Sequence, residues 1–190
     1  MLIRYWMRQP AITVDRKESL QDAIHLMKEH HIRRLPVTDK GALCGILTDR
    51  DVKRASASDA TTLDIHELLY LITKIKAASI MTRKVHTIHQ DWTIEEAAAL
   101  LLTHKISGAP VVNDKGRLVG VITQTDIFRA TLYITGLEKR GVHVALLLED
   151  TPGSIMQIVN LVREYEGRMA SILSTYEKAP AGYRRVYLRF

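Results

Sequence analysis

Two stretches of this chain carry chemistry in nearly the same spelling. "GILTDRD" occupies residues 45–51 and "GVITQTD" residues 120–126, so Thr48 stands three positions before Asp51, and Thr123 three before Asp126. A hydroxyl and a carboxylate at that spacing, where a strand gives way to a helix, form a capping box, and the helix alone accounts for them. The same carboxylate can take both hydroxyls of a ribose, while the helix N-terminus and the Thr hydroxyl favour a nearby phosphate. The two readings are compatible, since one carboxylate oxygen can cap while the other binds.

Other candidates are graded by the same test. Arg33 and Arg34 in "HIRRLPV" offer planar forks that pair with phosphate oxygens in charge-assisted bonds; the plainer reading is that they solvate a loop. Among the eight histidines, His30 and His104 fall at the ends of expected helices, where an imidazole meets the negative end of the dipole. His86 and His89 are three apart at a strand end and point to opposite faces, so no metal site is expected. Cys44 is the single cysteine, in the apolar phrase "ALCGIL"; an internal disulfide is excluded and a small buried hydrophobe is the expected role. No nucleophile is assembled with a base and an orienter, and there is no phosphate loop of the Gly-Lys-Thr kind, so the chain is not expected to be an enzyme.

The elements that must position these groups are themselves duplicated. The stretch from Met7 lies over the stretch from Met81 at a constant offset of 74, and after a one-residue gap "KGALCGILTDRDVKRA" lies over "KGRLVGVITQTDIFRA" at 75. Pro36 then matches Pro110, Gly41 matches Gly116 and Gly45 matches Gly120. Each copy reads as a short strand, a helix starting after Ser19 or Thr93, two strands joined at Lys-Gly, and a second helix. A β-α-β-β-α unit of about 50 residues is marginal alone, and two copies can pack about a pseudo-twofold axis. The expected layout is repeat 1 at 1–57, a connecting helix at 58–78 with Leu68, Leu69, Ile72 and Ile75 on one stripe, and repeat 2 at 79–135. From 141 to 190 a β-α-β-β pattern follows, with a turn at "DTPGS" and a hairpin across "KAPAG". The fold class is therefore mixed α/β (α+β).

"HIRRLPVTDKGALCGILTDRD" and "KISGAPVVNDKGRLVGVITQTD" resemble the CBS domain, whose tandem pairs, called Bateman modules, bind adenine nucleotides and related ligands between the copies. The resemblance covers about residues 5–130. It implies ribose on Asp126 and Asp51 with Thr123 and Thr48 beside them, and phosphate on Arg33 and Arg34, joined by Arg50. It also implies adenine read by backbone groups near Thr13 and Val14 and near His86, Thr87 and Ile88, with Ser107, Gly108, Pro36 and Pro110 lining the cleft. Because Ser107 and Gly108 leave space without charge, the main site is expected to hold ribose on Asp126 and phosphate on Arg33 and Arg34. The site centred on Asp51 is expected to be weaker or empty. The tail resembles the first part of an ACT domain, in which Asp150, Pro152 and Gly153 would form a ligand loop. The order of the parts resembles the acetoin utilization protein B type.

What the resemblance implies is a regulatory module, with AMP, ADP, ATP or S-adenosylmethionine as ligand and no cofactor required. It would form a homodimer and act on a regulated protein that the sequence does not name. A dimerisation scaffold, or a basic nucleic-acid-binding regulator suggested by the net charge of +6 and by "YRRVYLRF", is the alternative. No apolar run approaches the roughly 20 residues of a membrane span, and the start lacks a signal peptide's apolar stretch, so a cytoplasmic protein is expected.

Overall fold

The computed structural model describes residues 1–58, 70 and 72–190. They divide into two compact units, Met1–Ile127 and Phe128–Phe190. In the first unit, copy 1 runs β1 (Val14–Asp15), α1 (Leu20–Glu29), β2 (Arg34–Asp39), β3 (Ala42–Thr48) and α2 (Asp49–Ser58); a short helix α3 (Ala77–Ile80) precedes copy 2. Copy 2 runs β4 (Ile88–His89), α4 (Ile94–Thr103), β5 (Gly108–Val112), β6 (Leu118–Thr123) and α5 (Gln124–Ile134), whose later turns belong to the second unit. Leu68 and Leu69 of the expected connecting helix lie outside the described residues. Of its other stripe positions, Ile72 and Ile75 are half-buried.

Each copy builds a three-stranded sheet, β1-β2-β3 and β4-β5-β6. The registers superpose at the sequence offset: Val14 pairs in parallel with Val37 as Ile88 does with Val111, and a bulge follows Val37 and Val111 alike. The one-residue gap lies in the hairpin turns. Lys40 and Gly41 both have positive φ and join Asp39 directly to Ala42, the signature of a two-residue turn. In copy 2 the turn is longer, closed by Asn113 Oδ1 accepting from the amides of Lys115 and Arg117.

Helices α1 and α4 start on true capping boxes. Ser19 Oγ accepts from the Asp22 amide and Asp22 Oδ2 from the Ser19 amide; Thr93 and Glu96 repeat the exchange. Leu20, Ala23 and Met27 are buried on α1, as their equivalents Ile94, Ala97 and Leu101 are on α4. Both helices end at a histidine, His30 or His104, followed by a left-handed residue, His31 or Lys105. The Ile32 and Ile106 amides then return to the carbonyls of Met27 and Leu101, which closes the last turn.

What joins the copies is an exchange of leading segments. Residues before copy 1 bond to copy 2: the Ile3 amide donates to Trp92 O, the Ile94 amide to Met1 O, and Arg8 bridges Val121. Residues before copy 2 do the same for copy 1, with Ala77 bonded to Glu18, Leu20 to Ile75, and Thr82 bridged to Ile46. The core of copy 1 accordingly contains Ala77 and Met81 beside Val14, Leu35, Val37 and Leu47. The repeated glycines have their reason here: a Cβ at Gly120 would lie 2.7 Å from Met7 Sδ and 2.7 Å from Arg8 O, and one at Gly45 would lie 2.9 Å from Met81 Cγ.

In the second unit, β7 (His143–Glu149), α6 (Ser154–Glu164), β8 (Ser171–Thr175) and β9 (Tyr183–Arg189) form the expected β-α-β-β, with an antiparallel sheet in the order β7-β9-β8. Val162, Val186 and Leu188 are its buried apolar residues. The Thr135 carbonyl accepts from Ser171 Oγ and from Arg189 Nε, which ties the end of α5 into this unit. The division at Ile127 thus falls earlier than the change of pattern in the sequence.

Two outcomes follow from the packing. Gly120→Ala must displace a backbone carbonyl as well as a methionine, so a loss of about 1–3 kcal/mol is expected, read as a lower denaturant midpoint at unchanged slope. The Asp22 carboxyl is held below its ordinary value by its hydrogen bonds from Ser19. That contribution is therefore complete above the unfolded carboxylate's pKa of about 3.9 and is lost as pH falls through the lower folded value. Asp22→Asn should flatten the stability profile below about pH 4 and leave the rest of its shape unchanged.

Candidate functional site

The two Thr-x-x-Asp phrases sit where β3 meets α2 and where β6 meets α5, and their geometry is duplicated. Asp51 Oδ2 accepts from the Thr48 amide at 2.9 Å and from Thr48 Oγ1 at 2.6 Å; Asp126 Oδ2 accepts from the Thr123 amide at 2.9 Å and from Thr123 Oγ1 at 2.5 Å. Each Asp amide returns to the Thr hydroxyl, at 3.4 and 3.3 Å. One oxygen, Oδ2, takes all the capping bonds, and all four side chains are half-buried.

At the start of β2 the copies differ in charge. Arg33 is exposed, while Arg34 is half-buried and crosses to copy 2, where Nη2 donates to Ser107 Oγ at 2.6 Å. Its guanidinium takes the space of a side chain at Gly108: a Cβ there would meet Arg34 Cζ at 2.8 Å and the Ile122 carbonyl oxygen at 2.6 Å. Burial pushes the Arg34 pKa down, Asp49 and Asp126 push it up, and Arg33 adds to the lowering. The structure therefore brings together Arg34, Ser107, Gly108 and the field of Asp126, while Arg50 is exposed on the first turn of α2. Pro36 and Pro110 are buried inside β2 and β5. Their strands tolerate a missing amide because β1 and β4 reach only the two residues that follow.

The segments expected to meet adenine lead into the short first strands. Val14 and Ile88 open the paired register and are buried, whereas Thr13, His86 and Thr87 lie just ahead of it and are half-buried. The His86 ring stacks on His104, with centroids 3.7 Å apart and planes at 21°. Neither that stack nor the charge of Asp49 on Arg34 was visible in the sequence. The Gly108 notch was in principle readable, because the position equivalent to Arg34 across the duplication is the glycine.

Elsewhere the polar groups have structural work. Among the described residues His89, Asp91 and Asp114 are the set close enough to share a metal ion. In this structure His89 Nε2 pairs with Asp114 at 3.2 Å, His89 Nδ1 accepts from the Asp91 amide at 3.3 Å, and Asp91 pairs with Arg4. Cys44 packs against the core of copy 1, and burial pushes its thiol pKa up. At the tail, Asp150 accepts from Arg184 Nε at 2.7 Å, and Arg184 also bonds Tyr176 Oη. Pro152 is exposed, and Gly153 is the left-handed N-cap of α6. Three arginines of "YRRVYLRF" serve their own unit: Arg184 on Asp150, Arg185 on the Lys178 carbonyl and Arg189 on Thr135. No helix among the described residues is long and apolar enough to cross a membrane.

Comparison with known proteins agrees with this architecture. The CBS domain profile matches twice, over residues 3–58 and 77–133. The L-aspartate semialdehyde sulfurtransferase of Methanocaldococcus jannaschii is 33% identical over 129 residues, a match covering 67% of this chain and 23% of that enzyme. A CBS domain-containing protein of Dictyostelium discoideum is 33% identical over 67% of this chain and 88% of its own length. Among solved structures, the CBS domain pair of protein MJ0100 in complex with 5'-methylthioadenosine and S-adenosyl-L-methionine superposes with a TM-score of 0.59 at 32% identity, covering 69% of this chain and 99% of that one. CBSX2 in complex with AMP gives a TM-score of 0.56 at 29% identity, covering 69% and 96%. Two profile matches over more than half the chain, on two superposable β-α-β-β-α units that complete each other's cores, place the protein in the CBS domain family as a tandem pair.

Proposed function

We propose that the first unit is a non-catalytic regulatory module that binds an adenosine-containing ligand, AMP, ADP, ATP or S-adenosylmethionine, between its two copies. Ribose sits on Asp126 beside Thr123, phosphate on Arg33 and Arg34 with Arg50 at the edge, and adenine against the backbone of Thr13–Val14 and His86–Ile88. The observation that carries the reading is the placement of Arg34: a partly buried guanidinium that reaches across the copies to Ser107, with Asp49 and Asp126 both favouring its charge. The complexes of the MJ0100 pair with adenosyl ligands and of CBSX2 with AMP support the ligand class. The second half-site, Thr48 and Asp51, faces Ser107 and Gly108 and is the weaker one. Asp150, Pro152 and Gly153 form a ligand loop in the ACT-like reading of the second unit, and the module serves acetoin or related carbon metabolism by its resemblance to the acetoin utilization type. The protein acts inside the cytoplasm on a regulated partner.

A ligand regulates only through different affinities for two states, and here the second state is a change within or between paired modules. Phe128 and Leu132, four residues apart on α5 and 65% and 43% exposed, are apolar surface that a homodimer would cover. The competing reading is a ligand-independent dimerisation scaffold, which both Thr-x-x-Asp phrases favour by being complete capping boxes.

Calorimetric titration with the four ligands separates these readings. The wild type should bind at least one, and Asp126→Asn, which keeps an acceptor for the cap but loses the second carboxylate oxygen, should weaken it by about 1.5–3 kcal/mol, roughly 10- to 150-fold. Silence with every ligand would leave the scaffold. Phe128→Glu should shift the mass measured by light scattering from dimer to monomer while the chain stays folded; an unchanged mass would move the interface elsewhere.

A further inference from the structure

We infer that the sheet face of the second unit opposite α6 binds single-stranded nucleic acid, stacking bases on Tyr183 and Tyr187 and holding phosphate on Arg185. The inference is independent of the adenosine-ligand reading. Side chains alternate across a strand, and β9 divides cleanly. Val186 and Leu188 are buried, as is Val162 of α6, whereas Tyr183, Arg185, Tyr187 and Arg189 take the other face. The registers put Ala145 and Leu173 on either side of Tyr187, Leu147 and Thr175 on either side of Arg185, and Glu149 beside Tyr183.

The solvent face of an antiparallel sheet is ordinarily polar. This one leaves Leu147 47%, Tyr183 38% and Leu173 37% exposed, apolar surface of the kind that marks an interaction site. One end is closed, because Ser171 and Arg189 both bond the Thr135 carbonyl. Beside that end the His143 ring lies nearly parallel to Tyr187, with centroids 6.3 Å apart and planes at 17°.

Charge decides the occupant. Arg185 stands mid-face on the central strand and is exposed; its Nε donates to the Lys178 carbonyl at 3.0 Å, and its terminal nitrogens make no bond among the described residues. A second copy laid on this face about a twofold axis would bring Arg185 toward its own mate, a like-charge contact. An anion meets it favourably, and the acid on this face, Glu149, lies at its corner, the last residue of edge strand β7. Rings stand two residues to either side of the cation, about 7 Å away along the strand, so the anion that fits carries flat bases. Those bases must be unpaired, since a duplex hides their faces in its own stack.

The test is fluorescence anisotropy of the full chain with labelled oligouridylate and oligothymidylate of about 12 nucleotides. Neither contains adenine, so the proposed ligand site of the first unit is not probed. At least one should bind, about tenfold or more tighter than a duplex of equal length, and a preference between them tells RNA from DNA. Tyr187→Leu, which keeps an apolar body but removes the ring, should lose about 5- to 150-fold, and Tyr187→Phe should bind as the wild type does. Should Tyr187→Leu fail to fold, Tyr183→Leu gives the same readout at a more open position. Arg185→Gln should make the slope of log affinity against log salt shallower by about 0.7, while Arg163→Gln, exposed on α6, should leave it unchanged. No binding at low salt, equal binding of duplex, or equal weakening by Arg163→Gln and Arg185→Gln would overturn the proposal. So would a Leu147→Glu chain of half the wild-type mass in light scattering, which would assign the face to a second copy.

Discussion

Everything in the first unit depends on the exchange of leading segments. Copy 1 is completed by Ala77 and Met81, which precede copy 2, and copy 2 by Ile3 and Met7, which precede copy 1. A unit of this size buries too little surface to hold itself together, so neither copy has its full core without the other's segment. The bonds that enforce this come in equivalent pairs, such as Ile3 to Trp92 with Ala77 to Glu18. The consequence reaches the site: once the segments are exchanged, the starts of β2 and β5 must approach each other, and Arg34 can reach Ser107.

On that symmetric backbone the side chains are free to differ, and they do so where charge matters. The capping boxes, the bulges and the methionine-glycine contacts are kept in both copies because each is needed twice for packing. Where copy 1 has Arg33 and Arg34, copy 2 has Ser107 and Gly108, and two crossing guanidiniums could not share the axis. One arginine already fills the notch left by the missing side chain at Gly108, and a second would bring like charges together in a partly buried place. Asymmetry between the copies is then the cost of placing one strong cation at the junction.

Much of this was legible in the sequence. The duplication, the β-α-β-β-α order, the helix starts and the buried faces of α1 and α4 follow from apolar spacing and from Ser19, Thr93, Thr48 and Thr123 as start signals. The one-residue gap in the alignment was visible, but its cause, a two-residue turn at Lys40-Gly41 against a longer turn bonded to Asn113, needed backbone angles. The exchange of segments was not legible at all. Met7 and Met81 mark equivalent positions in either arrangement, and only the contacts show that each packs on the other copy's glycine. Of the candidate residues, the sequence marked Arg34, Ser107 and Gly108, but neither the bond from Arg34 to Ser107 nor the influence of Asp49 on the guanidinium follows from a local pattern.

The Thr-x-x-Asp phrase shows why one motif cannot be assigned one purpose. Its hydroxyl, its amide and the Asp amide are all satisfied within the cap, and the acceptor of those bonds is a single oxygen. In either copy taken alone, a helix start explains each of these bonds. What the cap does not explain is a partly desolvated arginine sent from one copy to the other's Ser107, at the position where the second copy keeps a glycine. Burying part of a cation costs free energy that folding does not need. The function must therefore be sought in the relation between the copies, where the charge was put, and not in the phrase they share.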